Sequence, residues 1–137
     1  FCKYAAECDG TVFSCDPRDV RNKKYSKLFE EEKKVGTFVN ATSKEMSQLC
    51  SDVDLFYIDG MHERGSVLTD INNLQAVQTD KNIPIWIFDD FDVRFGCFQD
   101  IAQALSAGKR FKVWYVGKTA SGYPSHQAIV TTHFKVS

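Results

Sequence analysis

The fold of this chain is decided by residues 54–62, which read DLFYIDGMH. The apolar run Leu55–Ile58 has the length of a buried strand and is rich in aromatic and β-branched residues. Asp59 follows where the strand leaves the sheet, and Gly60 permits a sharp turn that brings His62 back beside it. The sequence therefore predicts a buried strand that ends in an acid, a glycine and a histidine.

A second stretch repeats this pattern. Residues 83–88, IPIWIF, form another fully apolar run, and Asp89 and Asp90 follow it directly. An earlier run, residues 11–15, also ends in an acid, Asp16. Because ligands of parallel sheets bind outside the carboxyl ends of the strands, we expect these acids to mark the functional edge of the sheet.

Strand and helix periodicities alternate along most of the chain. Strands are predicted at residues 11–15, 36–39, 55–58 and 83–88, and helices at residues 1–8, 25–34, 43–50, 67–74 and 98–107. Thr42 and Glu45 fit a capping box at the start of the third helix. Such alternation predicts an α/β domain with a parallel, Rossmann-like sheet and helices on both faces.

The pattern changes after residue 108. Residues 111–116 and 128–136 are predicted strands, and the polar loop between them, residues 117–125, contains no helical segment. A connection without a crossover helix favours an antiparallel pair. The sequence therefore predicts a C-terminal antiparallel hairpin.

Composition excludes several classes of function. The 137 residues are 43% hydrophobic and carry a formal charge of -1, which suits one domain and gives no general attraction to nucleic acid or to a membrane surface. No apolar run approaches the roughly 20 residues that span a bilayer. The five cysteines include no C-x-x-C pair, so zinc ribbons and disulfide frameworks are disfavoured, and we expect mostly buried free thiols in the cytoplasm.

The strand ends resemble a known family. The motifs ending at His62 (Ile-Asp-Gly-Met-His) and at Asp90 (Phe-Asp-Asp) are similar to strand ends in one branch of the class I S-adenosylmethionine-dependent methyltransferases. Val67-x-x-Asp70 and the strand ending at Asp16 also resemble that branch. The resemblance implies S-adenosylmethionine as methyl donor, a small-molecule hydroxyl as acceptor and Mg²⁺ or another divalent cation as cofactor.

The resemblance begins late in the family pattern. The family's first strand, with its glycine-rich turn, would precede Phe1, so the domain is predicted to be N-terminally truncated. That strand lies between the strands that end here at Asp16 and Asp59. Because an unpaired interior edge invites association, we expect the chain to self-associate as a homo-oligomer.

The acidic cluster has two interpretations. Neighbouring strands lie about 4.8 Å apart, so Asp59, Asp89 and Asp90 can share one hard cation. The metal would orient a substrate hydroxyl while His62 removes its proton, which makes His62 and Asp59 the predicted catalytic residues. The alternative is that these acids only cap the helices that follow them.

The predicted donor-binding residues are Asp16, Thr42, Ser43 and Asp59. By the resemblance, Asp16 holds the ribose hydroxyls of the donor; alternatively it is a turn residue before Pro17. Thr42 and Ser43 border the adenine, although helix capping accounts for both and is favoured. Asp70 either supports the turn after Asp59 or faces water.

The leading hypothesis is therefore a domain that transfers a methyl group from S-adenosylmethionine to an oxygen nucleophile. One alternative is a non-catalytic Rossmann-like remnant that serves as a binding or interaction module. Another is a nucleotide-binding enzyme of the same architecture, since fold alone does not fix function.

Overall fold

The computed structural model describes residues 1–18 and 35–135. The chain divides into two compact units, an N-terminal unit, Phe1–Cys50, and a C-terminal unit, Ser51–Ser137. The helix predicted at residues 25–34 lies outside the described residues.

The N-terminal unit contains two short helices and a parallel pair of strands. Its elements are α1 (Cys2–Glu7), β1 (Val12–Cys15), β2 (Gly36–Val39) and α2 (Ser43–Met46). The two strands pair in parallel, with Val12 opposite Gly36 and Cys15 opposite Val39. Both predicted strands are thus confirmed, and so is their parallel direction.

The capping box of α2 is also confirmed. The Glu45 N–H donates to the Thr42 hydroxyl oxygen, and the Glu45 carboxylate accepts from the Thr42 backbone N–H at 2.8 Å. The predicted length of this helix is wrong, because α2 ends at Met46 after about one turn. Met46 is buried, whereas Leu49 lies beyond the helix and is 53% exposed.

The C-terminal unit contains a four-stranded mixed sheet. Its elements are β3 (Leu55–Ile58), α3 (Ser66–Leu74), a 3-10 turn (Gln75–Val77), β4 (Ile85–Phe88), α4 (Phe98–Ala107), β5 (Phe111–Lys118) and β6 (Pro124–Thr131). The strand order is β3-β4-β6-β5; β3 and β4 are parallel, and β6 is antiparallel to both of its neighbours. The C-terminal hairpin is confirmed, although β6 begins and ends earlier in the chain than predicted.

The core of this unit lies on one face of its sheet. Trp86 and Phe88 of β4 are fully buried, and Phe56 of β3 stacks on Trp86 with ring centroids 3.8 Å apart. The end of α4 lies directly on β6, because a Cβ added to Gly108 would collide with the Val130 side chain. Helix α3 packs against α4, so the two helices cover this same face.

One feature of the predicted sheet is wrong. The described strands do not form one ladder: β1 and β2 make a sheet in one unit, and β3 to β6 make another. Within the C-terminal unit, Leu55 and Ile85 lie on the face opposite the core and are each 38% exposed, and helices on both faces of the sheet stay a prediction.

Within the part of the chain that the structure describes, no helix has the length and apolar character needed to cross a membrane.

Candidate active site

The parallel pairing of β3 and β4 places the ends of both strands at one edge of the sheet. The Asp89 N–H donates to the Ile58 carbonyl at 3.0 Å, which extends the pairing one residue beyond the end of β4. The β3 strand then turns at Gly60, where an added Cβ would lie 3.0 Å from the Asp70 carboxylate. Asp70 therefore packs against this turn, which favours the turn-supporting role over the solvent-facing one.

His62 and Asp90 form a close pair across this edge. The Nε2 atom of His62 lies 2.7 Å from Oδ2 of Asp90, and the two side chains are 50% and 25% exposed. Because an ionised carboxylate only accepts hydrogen bonds, this contact places the proton of a neutral imidazole on Nε2. The Nδ1 atom is then the ring nitrogen that can accept a proton.

The backbone of Asp90 is held in an unusual conformation. Its φ is 53°, in the left-handed region, which costs an ordinary residue roughly 1–2 kcal/mol but which Asp tolerates better than most. The Asp90 N–H donates to Oδ1 of Asp89 at 3.0 Å, and this bond stabilises the turn. In this conformation the Asp90 side chain reaches His62.

The loop between β4 and α4 fixes His62 from the other side. The Phe95 ring lies 4.3 Å from the His62 ring, and the Cys97 N–H donates to the His62 carbonyl at 3.1 Å. Gly96 passes so close that an added Cβ would lie 3.0 Å from that carbonyl and 2.8 Å from the Arg64 amide nitrogen. These contacts hold both the ring and the backbone of the histidine.

Asp89 points away from this pair. Its Oδ2 accepts a 2.7 Å hydrogen bond from the Tyr57 hydroxyl, and the Gln127 side chain donates to that hydroxyl at 2.8 Å. Burial, followed by the hydrogen bond to Asp89 and by the charges of Asp89 and Asp59, raises the pKa of Tyr57. Tyr57 therefore stays protonated and cannot serve as a base near neutral pH.

A third acid of the same loop is bound to an arginine. Asp92 accepts from Arg94 through both carboxylate oxygens, and these hydrogen bonds lower the pKa of Asp92 to about 2. The Arg94 guanidinium also lies 4.0 Å from the Tyr123 ring centroid, which joins the loop to the hairpin between β5 and β6. Arg94 is thus held in place by charge and by an aromatic face.

The predicted metal ligands are not gathered into a metal centre. Both oxygens of Asp89 accept hydrogen bonds, and Asp90 is paired with His62. Across residues 1–18 and 35–135, no group of three His, Cys, Asp or Glu side chains is arranged to hold a metal ion. The donor set therefore does not fit a divalent cation in this arrangement, and the metal centre of Asp59, Asp89 and Asp90 stays a prediction.

Three of the predicted donor-binding residues lie in the N-terminal unit. Asp16 follows β1 at the carboxyl end of the parallel pair, and hydrogen bonds from Arg18 lower its pKa. Arg18 donates to both oxygens of the Asp16 carboxylate, and the ribose-binding role of Asp16 stays a prediction. Thr42 takes part in the capping box, which is the helix-capping role favoured for it in the sequence analysis. Ser43 is the first residue of α2.

Sequence reasoning missed Tyr57, Phe95 and Gln127. Tyr57 stands within an apolar run, but strand alternation places its side chain on the face opposite Phe56 and Ile58. A tyrosine hydroxyl on that face usually has a hydrogen-bond partner, so its role could have been predicted. Phe95 and Gln127 gave no such signal, since their roles depend on loop and strand placement.

The comparisons with known proteins agree with this fold. No protein-family model matches the chain, and no curated protein does. Among solved structures, an S-adenosylmethionine-dependent O-methyltransferase from Thermotoga maritima matches with a TM-score of 0.57 and 16% identity, over 92% of this chain and 51% of that one. The chain thus spans about half the length of that enzyme. Because the identity is low, the likeness shows that the chain shares the fold of that enzyme and nothing further.

Proposed function

We propose that this chain transfers a methyl group from S-adenosylmethionine to a hydroxyl of a small molecule, with His62 as the general base. The observation that carries the proposal is the 2.7 Å contact between His62 and Asp90, at the carboxyl ends of two parallel strands. The solved structure that the chain resembles is an O-methyltransferase. In O-methyl transfer, a base that removes the proton of the acceptor hydroxyl lowers the barrier.

The chain's own residues perform the proton transfer. The acceptor hydroxyl donates to Nδ1 of His62, and its proton moves to that nitrogen as the new oxygen–carbon bond forms. Asp90 keeps Nε2 protonated, orients the ring and stabilises the imidazolium that results. The half-exposed His62 ring is open to an acceptor, and the Phe95 ring, tilted by 32° at 4.3 Å, limits its rotation.

When bound, S-adenosylmethionine would supply an electrophilic methyl group; the bond between that methyl carbon and the sulfonium sulfur would break as the acceptor oxygen takes the methyl, and the sulfur would leave as a neutral thioether. Asp16 is the residue that would hold its ribose, since a carboxylate of lowered pKa is charged at neutral pH and accepts from two hydroxyls. Thr42, Ser43 and Asp59 remain proposed donor contacts by the resemblance alone.

The experiment that tests this function is the transfer of a labelled methyl group. The protein is incubated with labelled S-adenosylmethionine and a panel of small hydroxyl compounds, and label is counted in the acceptor. Transfer that requires the protein supports the proposal, whereas a protein that binds donor and transfers nothing to any hydroxyl fits a binding module instead.

Metal dependence gives a separate prediction through Asp89→Asn. Because Asp89 is engaged by Tyr57 and by the Asp90 amide, we expect Mg²⁺ or Mn²⁺ to shift the melting temperature of wild type and variant equally. Thermal melts with and without each ion measure this. A metal-induced stabilisation that the substitution removes would instead place a cation at Asp89.

Self-association remains a prediction. The edge strand β5 exposes Trp114 and Tyr115, but it also carries Lys112, Lys118 and a register shift near Gly117, which are features that protect sheet edges.

A further inference from the structure

An open pocket of about 320 Å³ lies between the loop after β4 and the start of α4. Its walls include two arginines, Arg64 and Arg94, and two aromatic rings, Phe95 and Phe98. The volume suits a compound of about one ring, at the small end of ligand pockets. The mechanism described above does not use this pocket.

The pocket adjoins the proposed base. Phe95 forms part of the pocket wall, and its ring also lies 4.3 Å from the ring of His62. Gly96 contacts the backbone between His62 and Arg64 so closely that no side chain fits there. The distance between the histidine and the pocket is therefore set by packed backbone.

The pocket is positively charged. No Asp or Glu lines it, and within the described residues Arg64 forms no ion pair. Arg94 is held by Asp92 and by the Tyr123 ring, so its guanidinium is pre-oriented, with part of its charge neutralised. The first turn of α4 has no side-chain cap but carries the acid Asp100, so the positive charge of the pocket comes from Arg64.

We propose that this pocket binds an anionic group, a carboxylate or a phosphate, carried by the methyl acceptor whose hydroxyl faces His62. The identification of this ligand as the methyl acceptor rests on the proposed function, whereas the anion site itself does not depend on methyl transfer. Arg64 makes the main charge-assisted contact, and Phe95 and Phe98 flank the ring that carries the anion. The acceptor is therefore a small hydroxylated acid and not a neutral phenol.

Direct binding tests the proposal without methyl donor. Calorimetry is run with meta-hydroxybenzoate, its methyl ester and meta-hydroxyphenyl phosphate. We expect the two anions to bind and the ester to bind at least about 10-fold more weakly, and we expect Arg64→Gln to weaken the anions by about 10- to 100-fold. Arg110→Gln, which removes the same charge from an exposed position outside the pocket, is the matched control and should change nothing.

Comparison of the two anions distinguishes a carboxylate site from a phosphate site. Equal affinity for ester and acid would overturn the proposal, and so would an equal loss of anion affinity in Arg64→Gln and Arg110→Gln.

The methyl-transfer assay with the same compounds separates the anion-site hypothesis from the proposed function. Transfer to the ester as fast as to the acids rejects the anion site alone, whereas anion binding without transfer to any compound rejects the proposed function alone.

Discussion

Replacing His62 with glutamine is expected to lower kcat for methyl transfer by roughly 10²–10⁴-fold, because the proton of the acceptor hydroxyl then has no positioned base. KM should change little, since His62 acts on the reacting proton and holds no other part of the acceptor. Steady-state kinetics with labelled donor measure both constants. Thermal melts of the variant check that it remains folded.

Asp90→Asn shows whether the carboxylate acts through His62. Asparagine keeps the tolerance for a left-handed backbone at φ 53° but removes the charge that stabilises the imidazolium. The single variant should lose about 10²-fold in kcat, and the double variant with His62→Gln should be no slower than His62→Gln alone. Additive losses would mean that Asp90 has a separate role. Asp80→Asn, at an exposed position, is the control and should leave kcat unchanged.

The largest expected effect on stability comes from Trp86→Ala. Trp86 is fully buried, stacks on Phe56 at 3.8 Å and meets the edge of Phe134 at 5.1 Å. Removing the ring leaves a cavity between β4 and the helices, so the free energy of unfolding should fall by about 3–5 kcal/mol. Urea denaturation monitored by circular dichroism measures the change.

The other tryptophan provides a control for this substitution. Trp114 of β5 is 49% exposed, and its main contact is the Lys112 ammonium 4.4 Å from the ring centroid. Trp114→Ala should therefore cost no more than about 1 kcal/mol. Similar losses from both substitutions would contradict a core centred on Trp86.

The strands were predictable because their signals are local. An apolar run followed by an acid locates β3 and β4, and the Thr42–Glu45 capping box locates the start of α2. The length of α2 was not predictable in this way, because Leu49 has helical spacing but no core to pack against. Whether the strands share one ladder depends on long-range pairing, which periodicity does not specify.

The sequence located the strand-end residues of the candidate site, but it located neither their hydrogen-bond partners nor Tyr57, Phe95 and Gln127. His62, Asp89 and Asp90 all lie at the expected edge, because the carboxyl ends of parallel strands meet there. In the structure, Asp90 turns to His62 through a left-handed backbone and Asp89 turns to Tyr57. Neither pairing follows from residue spacing.

The proposal that this chain binds S-adenosylmethionine is tested by a calorimetric titration of the protein with that donor. We expect saturable binding, and Asp16→Ala should weaken it by about 10-fold or more, because the ribose hydroxyls lose a charged acceptor. Lys44→Ala, which removes an exposed charge on α2, is the control and should leave the binding unchanged. Absence of binding up to about 1 mM donor, a concentration that corresponds to about 4 kcal/mol of binding free energy, would contradict the proposed function.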